Sequence, residues 1–352
     1  MNYLNLNGRR VGPGEPAYII AEMSANHAGS FARAVEIVHA AKEAGADCLK
    51  IQTYTPDTIT IDCHNEYFEI AAGTWEKENL YELYGKAYTP WEWQADLKAE
   101  AEKLGMDFLS TPFDNTAVDF LEEIGIGAYK IASFELVDLP LIAYVASKGK
   151  PIIMSTGMAT LSEIDEAVRT VHAAGNEQLA LLRCASAYPA ITDQMNLATM
   201  RNMRETFDLP VGLSDHSMGS VGAVCAVAMG GSIIEKHFCL DRAIENPDSS
   251  FSMTPEEFAQ MVRDVRQAEK AIGVVSYGPT QQEQTNLAFR RSVFAVKEIH
   301  AGDVLTEENI RIIRPGYGMA PKYYPEALGQ RALVDIPYGN PVQLDMIGRP
   351  GE

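Results

Sequence analysis

The chain has 352 residues, 46% of them apolar and 22% charged, the balance of a globular protein large enough for one sizeable core and a smaller companion. Its 48 acidic side chains against 29 basic ones leave a formal charge of −19, which excludes a phosphate-tracking surface for nucleic acid. No apolar run reaches the ~18 residues of a membrane span, and the polar stretch Met1–Arg10 lacks a signal peptide's apolar segment. Cys48, Cys63, Cys184, Cys225 and Cys239 show no paired spacing, as expected of a reduced, cytoplasmic protein without disulfides.

The first segment, LNLNGRRVGPGEPAYII, carries Asn7-Gly8 and predicts a small hairpin that closes the bottom of the larger domain. Short apolar runs then alternate with segments of helical period. Strands are expected at Tyr18–Glu22, Cys48–Thr53, Asp107–Thr111, Ala128–Ala132, Pro151–Ser155, Leu179–Cys184, Pro210–Ser214 and Ser232–His237. Helices are expected at Phe31–Ala44, Trp91–Leu104, Thr116–Ile124, Leu161–Ala174 and Pro255–Ile272, with Gly45 and Gly105 as stop signals. Eight strands in strict alternation with helices predict an α/β fold, a (β/α)8 TIM barrel. An open doubly wound sheet would want a glycine-rich phosphate turn after its first strand, and AEMSANHAGS supplies none.

One connection is out of scale. Residues 54–90 show no core helix but hold Tyr54, Tyr67, Phe68, Trp75, Tyr81, Tyr84 and Tyr88, a composition that predicts a lid rather than disorder. After the last helix, 277–291 reads as a linker, being polar and glutamine-rich with Gly278-Pro279. From Ser292 the pattern changes to short β-like runs, so the expected division is a barrel over 1–276, a linker over 277–291 and a small β-rich domain over 292–352.

Polar residues terminate nearly every expected strand. In order they are Glu22, Lys50 and Gln52, Ser110-Thr111, Lys130 and Ser133, Ser155-Thr156, Ser186 and Tyr188, Ser214-Asp215-His216, and Lys236-His237. Barrel active sites collect at this face. Three lysines converging on one mouth would repel unless an anion neutralised them, which implies an anionic substrate. His216 and His237 follow consecutive strands and can share one ion. With no H-E-x-x-H motif and no cysteine cluster, a labile Mn²⁺ or Mg²⁺ fits better than closed zinc. His27 is either catalytic or a helix-start residue. His39, His172 and His300 read as structural, and His64 as solvated.

These strings, in this order, resemble the N-acetylneuraminate (sialic acid) synthase family: AEMSANHAG, DCLKIQTY, FLSTPFD, YKIAS, PIIMSTGMA, Tyr188-Pro189, GLSDHS, EKHF and NPDSSFSM. The C-terminal RSVFAVKEIHAGDVLTEENIRIIRPGYGMAP resembles that family's antifreeze-like (SAF) domain. AEMSANH and LYELYGKAYTPWEWQ look most like the pseudaminic acid branch. The resemblance implies condensation of phosphoenolpyruvate with an N-acetylated amino sugar and water to a nonulosonic acid and phosphate. The sugar implied is 2,4-diacetamido-2,4,6-trideoxy-altrose, with neuraminate or legionaminate synthesis as the alternative. It further implies Glu22, Lys50 and Lys130 as catalytic residues and His216 and His237 as metal ligands. Thr111, Ser133, Ser155 and Ser214 would serve phosphoenolpyruvate, and Gln52, Tyr188 and Asp248 the sugar. Arg314 would reach a neighbouring barrel in a domain-swapped homodimer. Ser186 stands where neuraminate synthases carry Asn, which leaves its phosphate contact open. Two other readings compete: a Schiff-base aldolase using Lys130 or Lys236, and a non-catalytic carbohydrate-binding protein.

Overall fold

The computed structural model describes residues 3–348, so the ends of the ranges read from sequence, 1–2 and 349–352, lie outside it. Two compact units divide the chain at Gly273/Val274.

The first unit is a closed barrel of eight parallel strands. They are β1 (Tyr18–Glu22), β2 (Cys48–Thr53), β3 (Asp107–Pro112), β4 (Tyr129–Ile131), β5 (Ile152–Ser155), β6 (Leu179–Cys184), β7 (Val211–Asp215) and β8 (Ile233–His237). β8 pairs with both β7 and β1, with His237 opposite Glu22, and this pairing closes the ring. The principal helices are α1 (Phe31–Glu43), α2 (Trp91–Lys103), α3 (Asn115–Glu123), α4 (Leu139–Ser147), α5 (Leu161–Ala173), α6 (Ala198–Phe207), α7 (Val221–Ala228) and α8 (Pro255–Ile272). Local chemistry sets their ends. Ser30, Asp114 and Thr160 cap α1, α3 and α5 through side-chain oxygens that accept backbone N–H groups. Gly45 and Gly105 end α1 and α2 at φ of +94° and +67°, a region that other residues enter at a cost.

Strand pleating sorts side chains into two cores. Residues pointing out, such as Ile19, Leu49, Ile51, Met154, Leu181, Leu213 and Ile234, pack against the helices. Residues pointing in, Tyr18, Ile20, Cys48, Leu109, Ala128, Ile153, Ala180, Leu182 and Ile233, fill the interior together with Leu4, Leu6 and Val11. Those last three belong to an antiparallel hairpin, Leu4–Leu6 with Arg9–Val11, that plugs the barrel bottom as expected. Gly212 is required inside: an added Cβ would meet Leu182 Cδ2 at 2.7 Å and Ile233 Cβ at 2.8 Å.

The segment between β2 and α2 departs from expectation. It holds a helix at Leu80–Ala87, whose Leu83 is buried, as well as a short turn of helix at Pro56–Ile59. Asn79 caps the longer helix by accepting from Tyr81 N and Glu82 N.

The second unit is built on two antiparallel strand pairs, Ser292–Ala295 with Ile310–Ile313 and Arg331–Ala332 with Ile347–Gly348. Val293, Ile299, Leu305, Ile310, Ile336 and Val342 form its separate small core.

Candidate active site

Above the apolar floor, the inward positions at the C-terminal ends of the strands become polar and charged. Glu22, Lys50, Thr111, Lys130, Ser155, Ser214 and Glu235 are all buried there. Lys50 Nζ lies 2.6 Å from Glu22 Oε2 and 3.4 Å from Glu235 Oε1. The same ammonium is 3.4 Å from Thr111 Oγ1. Gln52 Nε2 donates to Glu22 Oε1 at 3.0 Å and to Ser24 Oγ at 2.9 Å. Across the ring, Lys130 Nζ donates to Ser155 Oγ at 2.7 Å and sits 3.8 Å from Glu235 Oε2. Ser214 Oγ donates to Glu235 Oε1 at 3.4 Å.

Burial alone would lower the Lys50 ammonium, but Glu22 and Glu235 outweigh it and hold Lys50 above its ordinary range. Burial lowers Lys130. It raises Glu22 despite the opposing pull of Lys50. For Glu235, burial is outweighed by Lys130 and Lys50, which hold its carboxylate ionised.

The third lysine does not join this ring. Lys236 falls on the outward phase of β8, and its Nζ donates to Asp215 Oδ2 at 2.7 Å and to Gly219 O at 3.2 Å. Ser110 and Asp215 point outward for the same reason, one position out of phase with Thr111 and Ser214. The mouth therefore holds two lysines, facing Glu22 and Glu235. An anion is not needed to keep them together, and the case for one rests on the cradle beside Lys130.

That cradle lies at the tops of β4, β5 and β6. Gly157 has φ +37°, and a Cβ there would lie 2.7 Å from Ser133 Oγ and 2.8 Å from Ser186 Oγ. The glycine thus leaves a small hydroxyl-lined space open. Ser186 Oγ also lies 3.4 Å from Cys184 Sγ.

The two imidazoles do meet. His216 and His237 have ring centroids 5.3 Å apart, and the Tyr188 ring covers His216 at 4.3 Å. His216 Nδ1 is 3.2 Å from Ala185 O. A carbonyl only accepts, so Nδ1 carries a proton. Burial is outweighed by Cys184 and the Ala185 carbonyl, which hold this imidazole above its ordinary range, and Nε2 is the atom left to face an ion once the ring is neutral. His237 Nδ1 is buried with no hydrogen-bond partner among the described residues, 3.9 Å from Asp248 Oδ2. Burial, with the His216 and lysine charges behind it, holds His237 neutral, the form that donates to a metal. Among the described residues no third His, Cys, Asp or Glu completes a protein-only metal cluster. The residues therefore fit an ion bound by two imidazoles, with further positions open to other oxygens.

Two carboxyls escaped the sequence reading. Glu235 was masked by Lys236, although counting back by two from His237 reaches it. Glu135, two residues past Ser133, has a buried Oε2 without a hydrogen-bond partner among the described residues, and burial pushes its carboxyl up to about 7. His27 is buried, accepts from Gly29 N at 3.1 Å and lies 3.3 Å from Thr89 Oγ1; burial lowers it to about 4. It joins the first loop to the end of the lid segment. Arg314 is exposed in the second unit.

The chain is similar to known proteins along most of its length. The model of the NeuB family matches residues 37–277, and that of the SAF domain matches 290–348. A pseudaminic acid synthase of Campylobacter jejuni subsp. jejuni is 45% identical over 323 residues, covering 92% of this chain and 94% of the relative. The pseudaminic acid synthase of Helicobacter pylori is 43% identical, covering 95% and 99%. The crystal structure of N-acetylneuraminic acid synthetase from Leptospira borgpetersenii, in complex with citrate, superposes with a TM-score of 0.72 at 30% identity, covering 81% of this chain and 95% of that one. With a family match over most of its length and relatives this similar, the chain belongs to the NeuB family.

Proposed function

We propose that this chain joins phosphoenolpyruvate to an N-acetylated amino sugar, consuming water and releasing phosphate, to give a nonulosonic acid. The observation that carries the reading is a two-part mouth. A lysine- and hydroxyl-lined cradle (Lys50, Thr111, Lys130, Ser133, Ser155, Ser186, Ser214) stands beside the imidazole pair of His216 and His237, flanked by Tyr188 and Asp248. The first half suits a phosphate and a carboxylate through charge-assisted hydrogen bonds. The second suits a polyhydroxylated aldehyde.

A divalent ion such as Mn²⁺ or Mg²⁺, held by His216 and His237, would supply Lewis-acid polarisation of that aldehyde. The chain's own residues do the rest. Lys50 and Lys130 hold phosphoenolpyruvate with its C3 facing the sugar C1, so that attack is close to unimolecular. The new C–C bond leaves positive charge at C2, which the Glu22 and Glu235 carboxyls face. Water adds at C2, and the tetrahedral adduct expels phosphate with its bridging oxygen. Glu22 and Glu135, carboxyls that burial holds above their ordinary range, can carry the protons that the aldehyde oxygen gains and the water loses. A Schiff-base route through Lys236 is disfavoured by its outward pairing with Asp215.

The sugar we assign is 2,4-diacetamido-2,4,6-trideoxy-altrose, giving pseudaminic acid, as supported by the relatives at 43–45% identity. Tyr54, Tyr84 and Phe113, with ring centroids 5.1–5.5 Å apart, form one apolar wall, and Trp75, Tyr188 and Phe251 form another. Such walls cover methyl and acetyl groups, each worth about 1 kcal/mol or slightly less. The reaction runs in the cytoplasm, the SAF domain over 292–352 follows a linker over 277–291, and the working form is a domain-swapped homodimer. No helix among the described residues is long and apolar enough to cross a membrane.

The test is phosphate release from phosphoenolpyruvate against a panel of N-acetyl hexosamines. The diacetamido sugar is expected to exceed N-acetylmannosamine in kcat/KM by about tenfold to a few hundredfold. Equal or greater kcat/KM for N-acetylmannosamine would favour neuraminate synthesis instead.

A further inference from the structure

The chain turns back on itself between residues 69 and 79. Glu69 and Asn79 form an antiparallel bridge, Ile70 N donates to Glu78 O at 3.0 Å, and Lys77 N donates to Ile70 O at 2.8 Å. Lys77 adopts φ +69°, an uncommon conformation for a residue other than glycine. The tip of this hairpin, Ala71–Thr74, is exposed and packs little apolar surface.

Two tip side chains nevertheless reach the mouth. Thr74 Oγ1 donates to the Tyr188 carbonyl, and Trp75 Nε1 donates to the Pro247 carbonyl at 2.9 Å. The Trp75 ring stands 5.4 Å from Tyr188 and 6.4 Å from Phe251. Tyr188 and Phe251 in turn contact the His237 ring at 6.4 and 5.1 Å. Trp75 therefore bridges the loops after β6 and β8, the loops that carry Tyr188 and Asp248, directly over the imidazole pair. By contrast, Lys50, Lys130 and Ser155 are held by the strands themselves.

We propose that residues 69–79 form a lid over the sugar half of the site, and that Trp75 is the positioning residue that latches it. A segment with few buried contacts opens at low free-energy cost. Two side-chain hydrogen bonds and two aromatic contacts hold it shut. The latch keeps Tyr188 and the Asp248 loop in place and covers the reacting aldehyde, while the cradle for phosphoenolpyruvate is untouched. The latch rests on the functional reading proposed for this mouth.

Steady-state kinetics of Trp75→Ala, Trp75→Phe and Thr74→Val, with 2,4-diacetamido-2,4,6-trideoxy-altrose and N-acetylmannosamine as probes, test it. Trp75→Ala is expected to raise the sugar KM tenfold or more while the phosphoenolpyruvate KM stays within twofold. Trp75→Phe keeps a ring but loses the N–H donor, so it should fall between. The indole emission missing from Trp75→Phe should change in wild type when sugar joins phosphoenolpyruvate, and stay constant with phosphoenolpyruvate alone. An active wild type whose Trp75→Ala variant keeps its sugar KM, or loses both KM values together, refutes the latch alone. A wild type that turns over neither sugar refutes the function and the latch with it.

Discussion

Chelation with EDTA should abolish phosphate release, and Mn²⁺ or Mg²⁺ should restore it. The expectation follows from His216 and His237, whose rings lie 5.3 Å apart, with the Asp248 carboxylate 3.9 Å from His237 Nδ1. A site with two protein ligands and open positions binds its ion reversibly, unlike a closed four-ligand zinc site. Lewis-acid polarisation is worth several kcal/mol, and each 1.36 kcal/mol is a factor of ten in rate. His216→Ala and His237→Ala should therefore lose on the order of 10³-fold or more in kcat/KM. Mn²⁺ affinity, read by calorimetry or electron paramagnetic resonance, should fall in both variants. The fold should survive, because the apolar cores inside and outside the barrel involve neither imidazole. Full activity in the chelated enzyme, or unchanged Mn²⁺ affinity in both variants, would rule the ion out of the mechanism.

Mixing two inactive variants should restore activity. Arg314 sits just after the strand Ile310–Ile313 in the second unit, exposed, where its planar fork can give directional hydrogen bonds. If each SAF domain serves its neighbour's barrel, an Arg314→Ala subunit paired with a His216→Ala subunit gives one doubly defective site and one intact site. At full subunit exchange about half the subunits sit in mixed dimers, so close to a quarter of wild-type activity is expected. Arg314→Ala alone should cost activity with little loss of stability, since an exposed side chain holds no core together. Heterodimers that form and stay inactive would show that Arg314 does not act across an interface.

Much of this was legible in the sequence because local signals agreed. The eight barrel strands stand within a residue of their expected ends, since apolar runs bounded by helix stop signals such as Gly45 and Gly105 leave little latitude. The site was legible at one level and misread at another. Reading strand ends as strings put Lys236 beside His237, but adjacent residues on a strand face opposite ways. The pleat sends Lys236 to Asp215 among the helices and brings Glu235 inward to Lys50 and Lys130. With Lys236 turned away, the lysines of the mouth no longer demand an anion by mutual repulsion. Glu135 was illegible for another reason: its burial comes from long-range packing that a single string does not encode. The helix Leu80–Ala87 was hidden because it buries only Leu83, too narrow a stripe to give a helical period.

The most direct test of the proposed condensation tracks the bridging oxygen of phosphoenolpyruvate. With that oxygen labelled as ¹⁸O, the enzyme, its ion and the diacetamido sugar should release one phosphate per nonulosonic acid formed, with the label in the phosphate. That result requires water to enter at C2 and the C–O bond to break, as the two-part mouth implies. Label retained in the sugar product, or phosphate released at the same rate without any sugar, would contradict it.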